Sequence, residues 1–379
     1  MANFLSSMFG NLFGSSGGNT AIGIDIGTSA IKVVQLKKEK GKVKLVTYGA
    51  LALGPYADKH VGQETDLPIN TTVEALTDLL REAKTSTKQG GIAIPFSSTL
   101  MTILKLPDVE EKEFEQMVPI EARKYVPTSL DEVSLDWTVI PKGNKATDRA
   151  NEAAQAGTAD TEEKEKVDVL MVAIRNDIVD RYKRVVSRAE LDALFFEVEI
   201  FSTIRAVISE DQSPVMVIDM GAGSTKVYVI EDGIVRRTHT VNTGSVDLTE
   251  TIADTLKVDP EAAEILKRGM SPEGETRDRR AEVADAVVGV EKKMLDEIAR
   301  FAKEYQGEHD EVTSCVLVGG GVLFEGFQEK VEAALQVPTS LANPFKDFVA
   351  PAFLDDVLAQ NGPEFAVATG IALRRLNDK

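Results

Sequence analysis

Two segments, about half the chain apart, share one pattern of apolar and polar positions. Residues 24–33 (IDIGTSAIKV) and 218–227 (IDMGAGSTKV) each predict an apolar strand ending in Asp, a turn of small residues and a second apolar strand. The offset is 194 residues (218 − 24), and Ile, Asp, Gly, Lys and Val recur at matching places. Hairpin signals then precede a third strand in each copy, over residues 42–50 and 234–241. We therefore predict two related domains, each built on a three-stranded unit.

Another apolar strand, in the second half of the chain, ends in a run of glycines. Residues 314–318 lead into Gly319, Gly320 and Gly321, and residues 324–335 follow with apolar positions spaced for one face of a helix. Glycines at a strand-to-helix junction allow close approach of a nucleotide base or ribose, although a tight turn needs them as well. The position of this motif after the two repeated turns favours the nucleotide interpretation.

The repeated turns have the chemistry of a phosphate site. Small residues in a tight turn let backbone N–H groups approach phosphate oxygens, and hydroxyl side chains add donors at the same rim. An Asp at the end of each strand, Asp25 and Asp219, is placed to hold Mg²⁺ through water. A single copy is more typical of an ordinary hairpin with a capping Asp, but the matched pair favours phosphate binding. The candidate loop residues are Gly27, Thr28, Ser29, Gly221, Gly223, Ser224 and Thr225, followed by the strand lysines Lys32 and Lys226, a residue type that often faces water instead.

Composition narrows the classes of function. The 379 residues hold 43 basic and 61 acidic side chains, and the resulting net charge of −18 argues against nucleic-acid binding. Cys315 is the single cysteine and the three histidines are scattered, which excludes an intramolecular disulfide and disfavours a Cys or His metal centre. No apolar run approaches the about 18 residues of a spanning helix. We expect an acidic, soluble, intracellular protein of two to three domains.

These motifs resemble those of the actin-like ATPase superfamily, which includes actin, sugar kinases, heat-shock chaperones and FtsA. The two phosphate loops correspond to residues 23–34 and 217–229, and the adenosine segment to residues 316–327. Within the superfamily, residues 106–140 (LPDVEEKEFEQMVPIEARKYVPTSLDEVSLDWTVI) and 197–202 (EVEIFS) are similar to the PilM family of type IV pilus assembly proteins. The resemblance covers nearly the whole chain and is specific in combination.

The resemblance implies an α/β actin-like ATPase fold. Two RNase H-like domains would flank a cleft for ATP with Mg²⁺, and a small subdomain would be inserted in the first. We expect residues 1–20 to be a flexible or amphipathic N-terminal tail. The first domain would comprise residues 21–91 and 175–210, separated by the inserted subdomain over 92–174, which contains a mobile loop over 141–167. The second domain would span 211–364, and a closing helix would span 365–379.

Three further site residues follow from family position only. Glu199 opens the first of two connecting helices, residues 199–208 and 365–374, and is the candidate for orienting water at the γ-phosphate. A capping or solvent-facing carboxylate at that helix start is an equal alternative. Glu297 and Arg300 lie where the superfamily contacts adenosine, although an i,i+3 ion pair explains them as well. The resemblance implies ATP turnover that is slow at most, with ATP closing the cleft and biasing a partner-binding state.

The family further implies a scaffold of the type IV pilus machine. In PilM-like proteins a groove of the inserted subdomain accepts the cytoplasmic N-terminal peptide of the inner-membrane protein PilN, and pilus motor ATPases are further candidate partners. An apolar helix face with Phe114, Met117 and Ile120 is typical of such docking. We expect a cytoplasmic protein at the inner face of the membrane, with membrane contact mainly through its PilN-like partner.

Two other functions occur in the superfamily. An FtsA-like division protein anchors filaments at the membrane, but such proteins are expected to end in a linker and a basic amphipathic helix, and this chain stops just after its last connecting helix. A sugar kinase needs a substrate domain with a catalytic Asp.

Two segments lie outside these motifs. The apolar pairs within residues 1–20 are compatible with an interfacial anchor or with a mobile tail, and residues 268–280 predict a charged surface excursion.

Overall fold

The computed structural model describes residues 19–140, 166–209, 214–274, 277–307 and 310–377. The predicted tail and the predicted mobile loop therefore lie almost wholly outside the described residues. Contacts within the chain define two compact units: a smaller one from residues 95–140 and 166–183, and a larger one from the other described residues. The predicted boundaries of the two domains and the inserted subdomain stay predictions.

Strands and helices alternate along most of the chain. The strands are β1 (Thr20–Ile26), β2 (Ala30–Glu39), β3 (Lys42–Ala52), β4 (Gln89–Ile94), β5 (Thr99–Pro107), β6 (Val133–Val139), β7 (Lys166–Arg175), β8 (Asp192–Val198), β9 (Val215–Met220), β10 (Thr225–Glu231), β11 (Ile234–Val241), β12 (Ser314–Val318) and β13 (Thr339–Leu341). The helices are α1 (Ile69–Glu82), α2 (Glu111–Ala122), α3 (Asn176–Arg188), α4 (Glu199–Val207), α5 (Ser245–Leu256), α6 (Pro260–Lys267), α7 (Arg280–Gln306), α8 (Phe327–Leu335), α9 (Asp355–Asn361) and α10 (Ala366–Asn377).

The larger unit contains two mixed sheets with one topology. The strand orders are β3-β2-β1-β4-β8 and β11-β10-β9-β12-β13. In each sheet the three strands that come first in the chain pair antiparallel with one another. The fourth strand then pairs parallel with the first, and the fifth pairs parallel with the fourth. The predicted three-stranded units are therefore present, and each is extended by the same two-strand addition.

The sequence repeat is also a repeat of register. Asp25 of β1 lies opposite Lys32 of β2, and Asp219 of β9 lies opposite Lys226 of β10. The turns close alike, because the backbone N–H groups of Gly27 and Gly221 each donate to the carbonyl oxygen three residues later, both at 3.0 Å. The matched turns and the matched Asp–Lys pairs therefore give the two hairpins the same register.

The last helix of the chain completes the layer over the first sheet. In α10 nearly all side chains are buried, and Ala368, Ala372 and Leu376 share a core with residues of β1 and β2. A β-carbon at Gly23 of β1 would overlap the carbonyl oxygen of Ala368, so glycine lets the helix lie directly on the strand. The predicted closing helix thus belongs to the first sheet, although it lies at the far end of the chain.

The smaller unit is an antiparallel sheet, ordered β5-β7-β6, covered by α2. Phe114 of α2 is buried and its ring lies 5.7 Å from that of Trp137, whereas Ile120 is 63% exposed. The apolar face predicted for docking is therefore divided: Phe114 supports the core of this unit, because its position on the helix faces the sheet, and Ile120 remains on the surface. Among the described residues, no helix is long and apolar enough to cross a membrane.

One helix begins later than its apolar spacing predicts. We predicted a helix over residues 324–335, and α8 begins at Phe327. Gly326 has a left-handed backbone (φ 78°), which interrupts the helical path, and residues 320–323 form a separate short 3-10 turn after the glycine run.

Candidate functional site

The ends of three parallel strands bring charged side chains together. β1, β4 and β8 run parallel, so Asp25 near the end of β1 and Glu199 just after β8 reach the same edge of the first sheet. In the second sheet, Lys226 Nζ lies 2.8 Å from Glu199 Oε1 and 3.6 Å from Asp219 Oδ2. Lys32 Nζ lies 3.9 Å from Asp25 Oδ2. We call these five side chains the charge cluster; it joins both repeated hairpins and the start of α4.

Glu199 is part of this cluster and does not face solvent. It is buried at the first turn of α4 and bound to Lys226. The solvent-facing alternative considered from the sequence is therefore wrong. The strand lysines are also engaged with carboxylates, since the side chains of Lys32 and Lys226 are only 16% and 14% exposed.

The charge cluster holds one more negative than positive charge. Its three carboxylates and two ammonium groups sum to 2 − 3 = −1. The pKa of Asp25 is raised to about 6, chiefly by burial and also by the neighbouring carboxylates Glu199 and Asp219, against the opposing effects of Lys32 and Lys226. Burial alone would lower the pKa of Lys226, but Glu199 and Asp219 raise it on balance. A cation bound here would relieve the excess negative charge.

Replacing Asp25 with Asn is expected to stabilise the fold at neutral pH. Because the folded pKa of about 6 lies above the ordinary value of 3.8, the ionised carboxylate costs stability as the pH rises from about 4 to 6 and fully above that. We expect a gain of about 1–3 kcal/mol in the free energy of unfolding at pH 7.5 and none at pH 4. Urea unfolding at both pH values measures it. The exposed Asp254 of α5 supplies a control, Asp254→Asn, and an equal gain there would contradict the interpretation.

The glycine run packs against the second hairpin. β12 lies parallel to β9, with Val318 opposite Asp219, so Gly319 follows directly beside the end of β9. Gly319 has φ +88°, and a β-carbon there would lie 2.7 Å from Asp219 Oδ1. A β-carbon at Gly321 would lie 2.5 Å from the Met220 side chain. Gly319 and Gly321 are therefore required by close packing, and Gly320 lies between them beside Glu364.

The tips of both loops present unused backbone donors. Among the residues that the structure describes, the backbone N–H groups of Thr28, Ser29, Ala222 and Gly223 donate no hydrogen bond, whereas those of Gly27 and Gly221 close the turns. Carbonyl oxygens on the same loops are occupied: Ser29 accepts from Leu53, and Ala222 accepts from the start of α5. The carbonyl oxygens of each loop thus fix it to the rest of the protein, and the N–H groups at its tip are available to bind an anion.

Thr225 differs from its predicted role. Its side chain is fully buried, and its hydroxyl donates to the carbonyl oxygen of Thr243 at 2.8 Å, with Met294 Sδ at 3.6 Å. As the first residue of β10 it faces the core of the second sheet, so its hydroxyl proton is committed inside the protein. Ser224, which precedes it, is half-buried at the loop.

Glu297 and Arg300 lie outside the charge cluster. Glu297 Oε1 is 2.7 Å from His239 Nε2 of β11, and Arg300 is exposed on the same helix, α7. Glu297 therefore pairs with His239 of a neighbouring strand, and not with Arg300 on its own helix. Whether either residue contacts a nucleotide stays a prediction.

Sequence reasoning missed two groups of charged residues near the loops. Glu64, in the segment between β3 and α1, lies against Gly223, where a β-carbon would be 2.5 Å from its Oε2. Glu264 of α6 is buried and bound to Lys267, Arg268 and Thr249 at 2.7–2.8 Å. Glu64 carries no repeat or spacing signal, whereas E-x-x-K-R in α6 is an i,i+3 and i,i+4 pattern that could have revealed the second group.

Comparison with known proteins identifies the fold. A solved structure described as the PilM-PilN type IV pilus biogenesis complex matches with a TM-score of 0.76 and 24% identity, covering 94% of this chain and 99% of that chain. The ethanolamine utilization protein EutJ from Carboxydothermus hydrogenoformans matches with a TM-score of 0.53 and 16% identity, covering 98% and 95%. A diol dehydratase-reactivating factor in nucleotide-free form matches with a TM-score of 0.50 and 11% identity, covering 95% and 100%. The predicted actin-like ATPase fold is confirmed.

A family model for the type IV pilus assembly protein PilM matches residues 23–376. That range includes both repeated hairpins, the charge cluster, the glycine run and the whole smaller unit. This chain belongs to the PilM family of type IV pilus assembly proteins.

Proposed function

We propose that this protein is a nucleotide-dependent scaffold of the type IV pilus assembly machinery. It binds ATP with Mg²⁺ at the paired loops and docks the cytoplasmic N-terminal peptide of a PilN-like inner-membrane protein on its smaller unit. The family match favours this role over an FtsA-like division protein. The observation that carries the nucleotide function is the pair of loops whose tip amides are unused and lie beside a buried cluster of net charge −1.

The charge cluster and the loops have different roles at this site. The tip amides of Thr28, Ser29, Ala222 and Gly223 bind phosphate oxygens. Asp25 and Asp219 hold the water shell of Mg²⁺, and the ion supplies charge neutralisation between carboxylates and phosphates. Lys226, fixed by two carboxylates, orients Glu199 at the start of α4.

Glu199 orients water near the terminal phosphate in this proposal. Lys226 Nζ lies 2.8 Å from Glu199 Oε1 and holds the carboxylate in place. Turnover of the bound nucleotide would be slow at most, as the family resemblance implies. A nucleotide that is hydrolysed slowly stays bound, and it acts chiefly by favouring one relative arrangement of the two repeated hairpins.

Membrane association is assigned to the partner. The chain carries a net charge of −18, which opposes direct binding to anionic lipid. A peptide from an inner-membrane protein would hold the scaffold at the cytoplasmic face, where pilus motor ATPases are further candidate partners. The exposed apolar residues of the smaller unit, Ile120 (63%) and Tyr125 (44%), offer contacts for such a peptide.

Ile120→Asp is expected to weaken docking of the partner peptide by at least about tenfold. A buried aliphatic contact contributes about 1.5–3 kcal/mol, and a carboxylate in its place adds a desolvation cost. Calorimetry with a synthetic peptide of the first cytoplasmic residues of the PilN-like protein from the same organism measures the dissociation constant.

The matched control is Val288→Asp on α7, where the valine is 53% exposed but lies in the larger unit. It should leave peptide affinity within about twofold. No binding of the peptide to the wild-type protein would contradict the scaffold function, and an equal loss in both variants would contradict the docking site.

A further inference from the structure

A short segment of the first half crosses to the second hairpin loop. The bridging segment, residues 58–66, joins the end of the β3 region to α1. On one side, the N–H and hydroxyl of Thr65 both donate to the carbonyl oxygen of Thr28, at 2.8 Å each. This fixes the segment to the first phosphate loop.

On the other side the bridging segment contacts the second half. His60 Nδ1 lies 3.4 Å from Glu261 Oε2, and a β-carbon at Gly62 would lie 2.6 Å from the Glu264 carboxyl carbon. Glu264 is itself fixed by Lys267 and Arg268. The segment is therefore anchored to both halves, with Gly62 in a left-handed conformation (φ +91°) at the contact.

Glu64 lies between these anchors, against the second loop. A β-carbon at Gly223 would overlap Glu64 Oε1, so the carboxylate occupies the space directly beside this glycine. Lys59 Nζ binds the backbone oxygen of Glu64, at 2.7 Å, and not its carboxylate. Within the described ranges, no cation pairs with the Glu64 carboxylate.

The position of Glu64 conflicts with a second anion at the same loop. The N–H of Gly223 is one of the unused tip donors, and an anion bound to it would share a few ångströms of space with the carboxylate. Like charges at that separation repel, and the effect grows as water is excluded. A triphosphate meets this repulsion more strongly than a diphosphate, because it carries the larger negative charge.

We propose that Glu64 makes the site discriminate between nucleoside triphosphate and nucleoside diphosphate: the terminal phosphate competes with the Glu64 carboxylate at Gly223, and binding of a triphosphate displaces the bridging segment. This inference rests on the proposed nucleotide function. Displacement releases the contacts to Glu261 and Glu264, so the presence of the terminal phosphate is transmitted to the junction between the two halves.

Calorimetry with Mg²⁺ and either the nonhydrolysable triphosphate AMPPNP or ADP tests the proposal on the full chain. Glu64→Gln removes the charge and keeps the shape, so we expect it to bind AMPPNP about three- to tenfold tighter and ADP within about twofold of the wild type. The control is Glu39→Gln, which removes the same charge from an exposed site at the far end of β2, about 30 Å along the strand. It should change neither affinity.

Hydrogen exchange gives a second readout. AMPPNP should speed exchange in residues 58–66 of the wild type, and ADP should not. Equal changes in AMPPNP and ADP affinity in Glu64→Gln overturn the proposal and leave the nucleotide function intact. Weaker AMPPNP binding in that variant also overturns it, by indicating that Glu64 supports the bound ion. Absence of binding of either nucleotide to the wild type overturns the nucleotide function and this proposal together.

Discussion

Glu197→Ala is expected to lower the free energy of unfolding by about 3–5 kcal/mol. Glu197, the second-last residue of β8, is 2% exposed and receives hydrogen bonds from Arg205 (2.7 Å), Arg374 (2.9 Å) and Ser202 (2.7 Å). The guanidinium of Arg374 also lies over the ring of Phe195, 4.3 Å from its centroid. Removing the carboxylate takes away the anion that Arg205 and Arg374 share between α4 and α10, and Arg374 is almost fully buried.

Urea unfolding followed by circular dichroism measures this loss. The control is Glu190→Ala, which removes a carboxylate that pairs with Lys88 at 3.1 Å on the surface, where both side chains are exposed. That pair should contribute at most about 1 kcal/mol. Similar losses in the two variants would show that the buried network does not hold the connecting helices together.

Mg²⁺-ATP is expected to raise the melting temperature of the wild-type protein, and Asp219→Ala is expected to abolish the rise. At about 100 times the dissociation constant a ligand stabilises the folded state by about 2.7 kcal/mol, or about 3 °C for a chain of this size. Asp219 both borders the glycine run and contacts Lys226, so its loss removes the carboxylate proposed to hold Mg²⁺ and one of the two carboxylates bound to Lys226. Differential scanning fluorimetry at millimolar ATP checks the result.

Two controls separate a site effect from a general one. ATP with EDTA should give a smaller rise in the wild type, since the phosphates then bind without their counter-ion. Asp254→Ala, at an exposed position on α5, should keep the full rise. An unchanged melting temperature of the wild type with Mg²⁺-ATP would contradict the nucleotide function.

The repeated hairpins could be predicted because the sequence signals that specify them lie close together in the chain. Alternating apolar residues, a small-residue turn and a hairpin signal specify β1–β3 and β9–β11 within about thirty residues each. The same repeat placed Asp25 and Asp219 at equivalent strand ends, and the structure joins them through Lys226 and Glu199. Glu199 itself required the family resemblance, since nothing local distinguishes it from a helix-capping carboxylate.

The remaining partners depend on contacts distant in sequence. Glu297 pairs with His239, 58 residues away, and Arg374 with Glu197, 177 residues away. Glu64 lies in a segment without periodicity, so only the folded chain shows that it reaches Gly223. The contact of the Thr225 hydroxyl with the Thr243 carbonyl could not be predicted, because strand position alone does not tell which face of a hairpin a hydroxyl occupies when both faces are covered.

The placement of α10 on the first sheet affects how the chain folds during synthesis. β1 and β2 leave the ribosome first, but some of the apolar surface they bury is covered by residues 366–377, the last described residues to be made. Their core therefore cannot close fully until residues 366–377 have been made, unlike the usual order in which N-terminal domains fold first. Among the described residues, the core of the second sheet contains none from α10, so it can close before that helix is made. Completion of the first half thus requires that residues 366–377 have been made, and a product terminated before them would expose that apolar surface to chaperones and proteases.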